Sequence, residues 1–180
     1  MMKKAGILFL TIVLSFNLGG CMKKENRISK WIGSEQDISD QIMKEIISAL
    51  DERDAEALKA QFSEEALKKA VDLDQQIVDL MNFYQGTMTE FSGDASSDTL
   101  TKYGNDMEKS FIGHYTLKTD KATYQVMYDY IVIYKEDRNK EGMRQLELVT
   151  QELYDEQVEE KGTYRWIASD EGSGVYMKGE

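Results

Sequence analysis

Proline is absent from this 180-residue sequence, and cysteine and histidine each occur once, as Cys21 and His114. Without proline, the loops must take their turns from Gly, Asn, Asp and Ser. One cysteine cannot build a disulfide framework or a multi-cysteine zinc site, and one histidine removes multi-histidine metal centres. Phosphate-binding glycine loops and a G-x-S-x-G elbow are missing as well. Basic residues are few, 22 against 33 acidic ones, for a net charge of −11. Such a surface repels nucleic-acid backbones and anionic headgroups, so no nucleic-acid partner is expected. Stability must come from an apolar core, which a hydrophobic content of 41 % can supply.

What the sequence does have begins at its amino end. Lys3 and Lys4 precede a largely apolar run, residues 5–16, and small residues then lead to Leu18-Gly19-Gly20-Cys21. Basic, apolar and small-residue zones in that order are the grammar of a secretory signal. The run is well short of the ~20 residues of a spanning helix. With cysteine directly after Leu-Gly-Gly, the segment resembles a bacterial lipoprotein signal with its lipobox. That resemblance implies cleavage before Cys21, a diacylglyceryl thioether on Cys21, and a lipid-anchored protein on the outer face of the cell membrane. Two acyl chains suffice for stable anchoring where one does not. Lipidation would consume the only thiol and with it any cysteine nucleophile. Removing residues 1–20 takes two basic residues and no acidic ones, leaving 20 against 33 and a charge of −13.

Residues 21–33 then read as the lipidated cysteine and a polar tether, with Trp31 and Ile32 expected to dock at the edge of a single domain over residues 34–180. From Ser34 the apolar period is helical: Ile38, Ile42, Ile46 and Leu50 recur at i+4, with Met43, Ile47 and Ala49 beside them. Ser34 or Asp37, Asp54 and Ser63 suit three successive N-caps. The second helix should present Ala57, Leu58 and Phe62. A long helix over residues 63–84 should pack Leu67, Val71, Ile77, Leu80 and Met81 on a sheet, bent or split at Asp72-Leu73-Asp74, with Gly86 as its C′ stop.

After Gly86 the pattern turns to strands. Residues 87–91 are β-prone, residues 92–98 read as a Gly/Ser/Asp loop, and residues 99–106 are ambiguous. In residues 110–117, Phe111, Gly113, Tyr115 and Leu117 share one side. The longest strand, residues 122–135, carries Tyr124, Val126, Tyr128, Tyr130, Val132 and Tyr134 on even positions and Met127, Ile131 and Ile133 on odd ones. This is the pattern of a central strand buried in part on both faces. Residues 143–154 return with a parity switch between Leu148 and Val149 that suggests a bulge. Asp137-Arg138-Asn139-Lys140-Glu141-Gly142 imitates half a calcium loop, but Leu148 occupies the twelfth position and the flanks are strands, so a hairpin turn is expected and no metal.

Helices followed by hairpin-connected strands predict an α+β fold with helices on one face of a curved antiparallel sheet. The layout resembles the nuclear transport factor 2-like, or cystatin-like, cone. More narrowly it is similar to a family of small lipoproteins of unknown function from Gram-positive gut bacteria. The residues carrying this likeness are Asp54, Phe62-Ser63, Asp72-Leu73-Asp74-Gln75-Gln76-Ile77, Phe83 to Gly86, Thr119-Asp120-Lys121 with Tyr124, and Gly174-Val175-Tyr176.

The resemblance implies a cavity between sheet and long helix, used by relatives as an enzyme site, a ligand pocket or a plain core. The leading reading is a non-enzymatic module, without cofactor, that binds a small ligand or an envelope protein through His114, Tyr128, Tyr130 and Trp166. The alternative is a cone-fold hydrolase, isomerase or dehydratase using His114 or Asp129 as its acid or base. A third reading is a structural or inhibitory module whose cavity is filled. Asp129 shares parity with Met127 and Ile131; facing inward it needs a partner or a raised pKa, and facing outward it is a surface carboxylate.

Overall fold

Ser34 opens the first helix, α1 (Glu35–Asp51), with a reciprocal capping box: its side chain accepts from the Asp37 amide, and the Asp37 carboxylate accepts from the Ser34 amide at 2.8 Å. This is a computed structural model that describes residues 33–102, 105–166 and 172–179. Cys21 and the tether with Trp31 and Ile32 lie outside the described residues. The whole expected stripe of α1, Ile38 to Leu50, is buried.

Asp54 caps the short α2 (Ala55–Lys59), which buries Leu58 but leaves Ala57 in solvent. Ser63 caps α3 (Glu64–Lys69) and sets Glu64 and Glu65 at its positive end. The chain then breaks. Asp72 adopts the left-handed conformation (φ 52°) and α4 runs over Leu73–Phe83. The long apolar stripe is therefore two stripes. Leu73, Ile77, Leu80 and Met81 are buried, whereas Leu67 and Val71 are 38 % and 75 % exposed, contrary to expectation. A left-handed residue redirects the axis, so i+4 spacing does not carry a common face across it. Gly86 lies one residue beyond C′, at φ +89°, where a Cβ would sit 2.3 Å from the Asp120 carboxylate.

The strands β1 (Met88–Lys102) and β2 (Asn105–Thr119) pair antiparallel. Residues 92–98, expected as a loop, belong to β1, because the partner strand supplies the ladder that their composition does not advertise. Gly93 is required there: a Cβ would stand 2.2 Å from the His114 carbonyl oxygen. Next come the central β3 (Thr123–Tyr134), a 3-10 turn at Arg138–Lys140, and β4 (Gly142–Thr150). The hairpin expected in place of a calcium loop is thus present, with Asp137 accepting from the Asn139 amide at 3.1 Å.

Two features of the last third differ from expectation. The bulge sits at Arg144, where pairing jumps from Asp129–Gln145 to Tyr130–Met143, and not at Leu148. The strand stops at Thr150, and α5 (Gln151–Lys161) follows, closed by Gly162 at φ 78°. This helix is a crossover that returns the chain as β5 (Gly174–Lys178), parallel to β4. The sheet, in the order β1-β2-β3-β4-β5, is consequently mixed and not wholly antiparallel. The fold is α+β. Helices α1 to α4 bury one face of β2, β3 and β4, and β3 is buried on its other face too at Met127, Asp129 and Ile131.

Candidate functional site

The two faces of the sheet have different fates. On the helical face, Tyr84, Tyr115, Tyr124 and Tyr128 are fully buried and fill the space against α1 and α4. The Tyr115 and Tyr128 rings stack at 6.1 Å, and their hydroxyls lie 2.5 and 2.6 Å from Ser39 Oγ. Tyr115 donates to Asp40 at 2.9 Å and Tyr128 to the Ser39 carbonyl at 3.1 Å. Burial pushes the Tyr115 phenol up to about 12 and that of Tyr128 higher still. Tyr130 lies in the same core. Two of the expected ligand residues, Tyr128 and Tyr130, are thus core residues.

On the opposite face a cavity of about 630 Å³ opens, lined by Ile112, His114, Met127, Asp129, Arg144 and Trp166, with Glu65, Lys69, Gln145, Gly172 and Ser173 at its margins. Register builds its floor: Ile112 faces Asp129 and His114 faces Met127 across β2 and β3. The bulge supplies Arg144, whose guanidinium pairs with the Asp129 carboxylate. A parallel bridge between Phe62 and Met143, with the Ser63 amide donating to the Met143 carbonyl at 3.0 Å, anchors α3 beside the start of β4. That contact brings Glu65 and Lys69 to the rim. A recess of about 190 Å³ continues past Arg144 toward Tyr134 and Lys140.

The remaining wall is aromatic. Trp166 meets Tyr164 edge-on at 4.9 Å and His114 at 5.4 Å, and Tyr164 stacks on Tyr154 of α5 at 5.1 Å. The Tyr164 hydroxyl donates to buried Glu147 at 3.1 Å, and burial with that carboxylate raises its pKa. The Gln145 amide donates to the Gly172 carbonyl at 2.8 Å and so holds the far margin.

Electrostatically, burial raises the Asp129 carboxyl above the ordinary range, and Arg144 pulls it back. Its Oδ1 is buried without a hydrogen-bond partner among the described residues. His114 is lowered by desolvation, against a smaller upward pull from Asp94. The contribution of His114 to stability is therefore fully present above its unfolded pKa of about 6.5 and is lost as pH falls from there through the lowered folded value. His114→Gln is expected to lose less stability than the native chain between roughly pH 7.5 and pH 5. Denaturant midpoints across that range check it; parallel pH profiles would contradict the assignment.

The structure brings His114 and Trp166 together, with Asp129 in the same cavity lining. Sequence reasoning missed Arg144 and Gln145. Their signal was present: two polar residues in a row between Met143 and Leu146 break strand alternation, as a bulge does. Among the described residues, no group of three or more His, Cys, Asp or Glu is arranged to hold a metal.

No curated protein matches this chain. The stretch that does match a family, residues 45–151, contains the strand floor and the α3 rim of the cavity and stops before Trp166. Since that stretch spans more than half of the sequence, the chain belongs to the family described as a domain of unknown function, DUF5104.

Proposed function

We propose that this is a lipid-anchored, extracytoplasmic lipoprotein whose domain binds a small polar ligand on the outer face of its sheet, without catalysis. The observation carrying this reading is the cavity that joins the Asp129–Arg144 pair to the Trp166 wall. An apolar wall with a few convergent polar groups is the usual make-up of a ligand site. A binding role is favoured over a catalytic one because Asp129, the more buried of the two candidate acid–base groups, is held as the carboxylate of an ion pair with Arg144 within the cavity.

The order of helices and strands supports kinship with the nuclear transport factor 2-like cone and its lipoprotein relatives. The interior where such cones keep a cavity is filled here by tyrosines, so the ligand site in this reading lies on the other face. Anchoring rests on the Leu18-Gly19-Gly20-Cys21 boundary. No helix among the described residues is long and apolar enough to cross a membrane.

Two measurements test the two halves of the proposal. In a bacterial host, Cys21→Ser is expected to lose acyl labelling and move from the membrane fraction to the medium. Membrane retention of the variant, with no acyl label on the native chain, would reject the anchor. Ile112→Trp, at a half-exposed position on the cavity wall, is expected to fold normally and narrow the site. Native mass spectrometry should then show small molecules retained by the native chain and lost from the variant. Identical spectra would reject the pocket.

A further inference from the structure

The charges of the outer-face cavity are cancelled in place. Glu65 pairs with Lys69 on α3, and Asp129 pairs with Arg144. An anionic ligand would gain Arg144 but meet Asp129 and Glu65; a cationic one would gain the carboxylates but meet Arg144 and Lys69. Among the described residues, the acidic and basic side chains lining the site are matched in pairs and offer no unmatched charge to either.

It does offer hydrogen-bonding capacity of both kinds. Asp129 Oδ1 is buried without a hydrogen-bond partner among the described residues, an unsatisfied acceptor that a small turn of the carboxylate toward the cavity would present to a donor. Arg144 has 44 % of its side chain exposed, and its hydrogen bond among the described residues is the one to Asp129 Oδ2. A guanidinium carries five N–H donors in a planar fork. A hydroxyl both donates and accepts, so adjacent hydroxyls can donate a hydrogen bond to the carboxylate and accept one from the guanidinium without disturbing the ion pair. Across the cavity stands Trp166, fixed by Tyr164 and His114, with Met127 and Ile112 extending the apolar wall. A ligand that suits both sides is polyhydroxylated on its edge and apolar on its face.

We infer that the cavity binds a neutral carbohydrate, with a sugar ring stacked on Trp166 and neighbouring hydroxyls bridging Asp129 and Arg144. This rests on the outer-face binding reading and gives it a ligand class.

The full-length chain carrying Trp31→Phe retains Trp166 as its single tryptophan, so its emission reports on the site. Cellotetraose, tetra-N-acetylchitotetraose, mannotetraose and galactotetraose serve as neutral probes, with the zwitterionic dipeptide Ala-Ala and inorganic phosphate as charged ones. At least one tetrasaccharide is expected to shift Trp166 emission saturably. Raising salt to about 0.5 M should change that affinity by no more than about twofold, since no net charge is exchanged. Arg144→Ala is expected to weaken binding by about tenfold or more, the scale of one or two lost hydrogen bonds. Arg144→Lys keeps the countercharge of Asp129 and removes only the planar fork, so it should weaken sugar binding while melting like the native chain. Full affinity in Arg144→Lys overturns the bridging geometry. Binding of Ala-Ala or phosphate in place of every sugar, lost in Arg144→Ala, overturns the ligand class and leaves the pocket reading standing. Silence with all probes overturns the carbohydrate inference; joined to unchanged mass spectra in Ile112→Trp, it removes the pocket reading too.

Discussion

Leu80→Ala is expected to destabilise the domain by about 2–5 kcal/mol, the range for a buried leucine cut to a methyl. Leu80 is completely inaccessible, on the face of α4 that closes over the sheet with Ile77 and Met81. Removing its branched end deletes apolar burial and leaves a void among neighbours fixed by their own packing. Val71→Ala belongs to the same apparent run in sequence but is expected to stay within about 0.5 kcal/mol of the native chain. Val71 is in solvent because the left-handed Asp72 separates α3 from α4. The pair of denaturant midpoints thus tests the break itself. Equal losses at both positions would mean that one continuous helix packs on the sheet.

Gly113→Ala should be the other severe change. A Cβ at Gly113 would lie 2.3 Å from two ring carbons of Tyr128, its cross-strand partner. The ring cannot swing away cheaply: it is fully buried, and its hydroxyl is held by Ser39 at 2.6 and 3.1 Å. Overpacking of this kind costs about 1–3 kcal/mol. Freeing a buried hydroxyl adds about 1–3 kcal/mol more. Gly162→Ala is a useful contrast. Nothing lies within 4 Å of its would-be Cβ, so only the φ of +78° opposes alanine, at about 1–2 kcal/mol. In a double-mutant cycle, Tyr128→Leu should relieve part of the Gly113→Ala cost, giving strong non-additivity. Simple additivity would show that the ring is not wedged against residue 113.

What could be read in advance follows from how local each signal is. The α1 stripe and the caps at Ser34, Asp54 and Ser63 are written within four residues of where they act, and all appear as expected. The alternation of β3 likewise reports its own two faces. The strand over residues 92–98 was hidden because its partner, and not its composition, makes it a strand. Parallel β5 was hidden behind α5, whose Gln- and Glu-rich sequence carries little apolar period to announce a crossover helix. At the site, parity alone separates Tyr128 and Tyr130 from Asp129, and His114 from Tyr115. What parity does not say is which face has room left over. Arg144 escaped because a bulge resets alternation at the residue that completes the cavity.

Strand β5 has a consequence for the order in which the molecule can be assembled. The Val175 amide donates to Gln76 Oε1 at 2.8 Å, across 99 residues of chain, while the same strand pairs with β4. Everything β5 touches precedes it, so a chain emerging amino end first can form its helices and its β1–β4 hairpins while β4 still shows a bare edge. Closure over so long a separation is slow compared with hairpin formation. During that interval the open edge is a template for pairing with another copy. The clasp that makes the finished domain coherent also sets how long each newborn chain stays vulnerable to its neighbours.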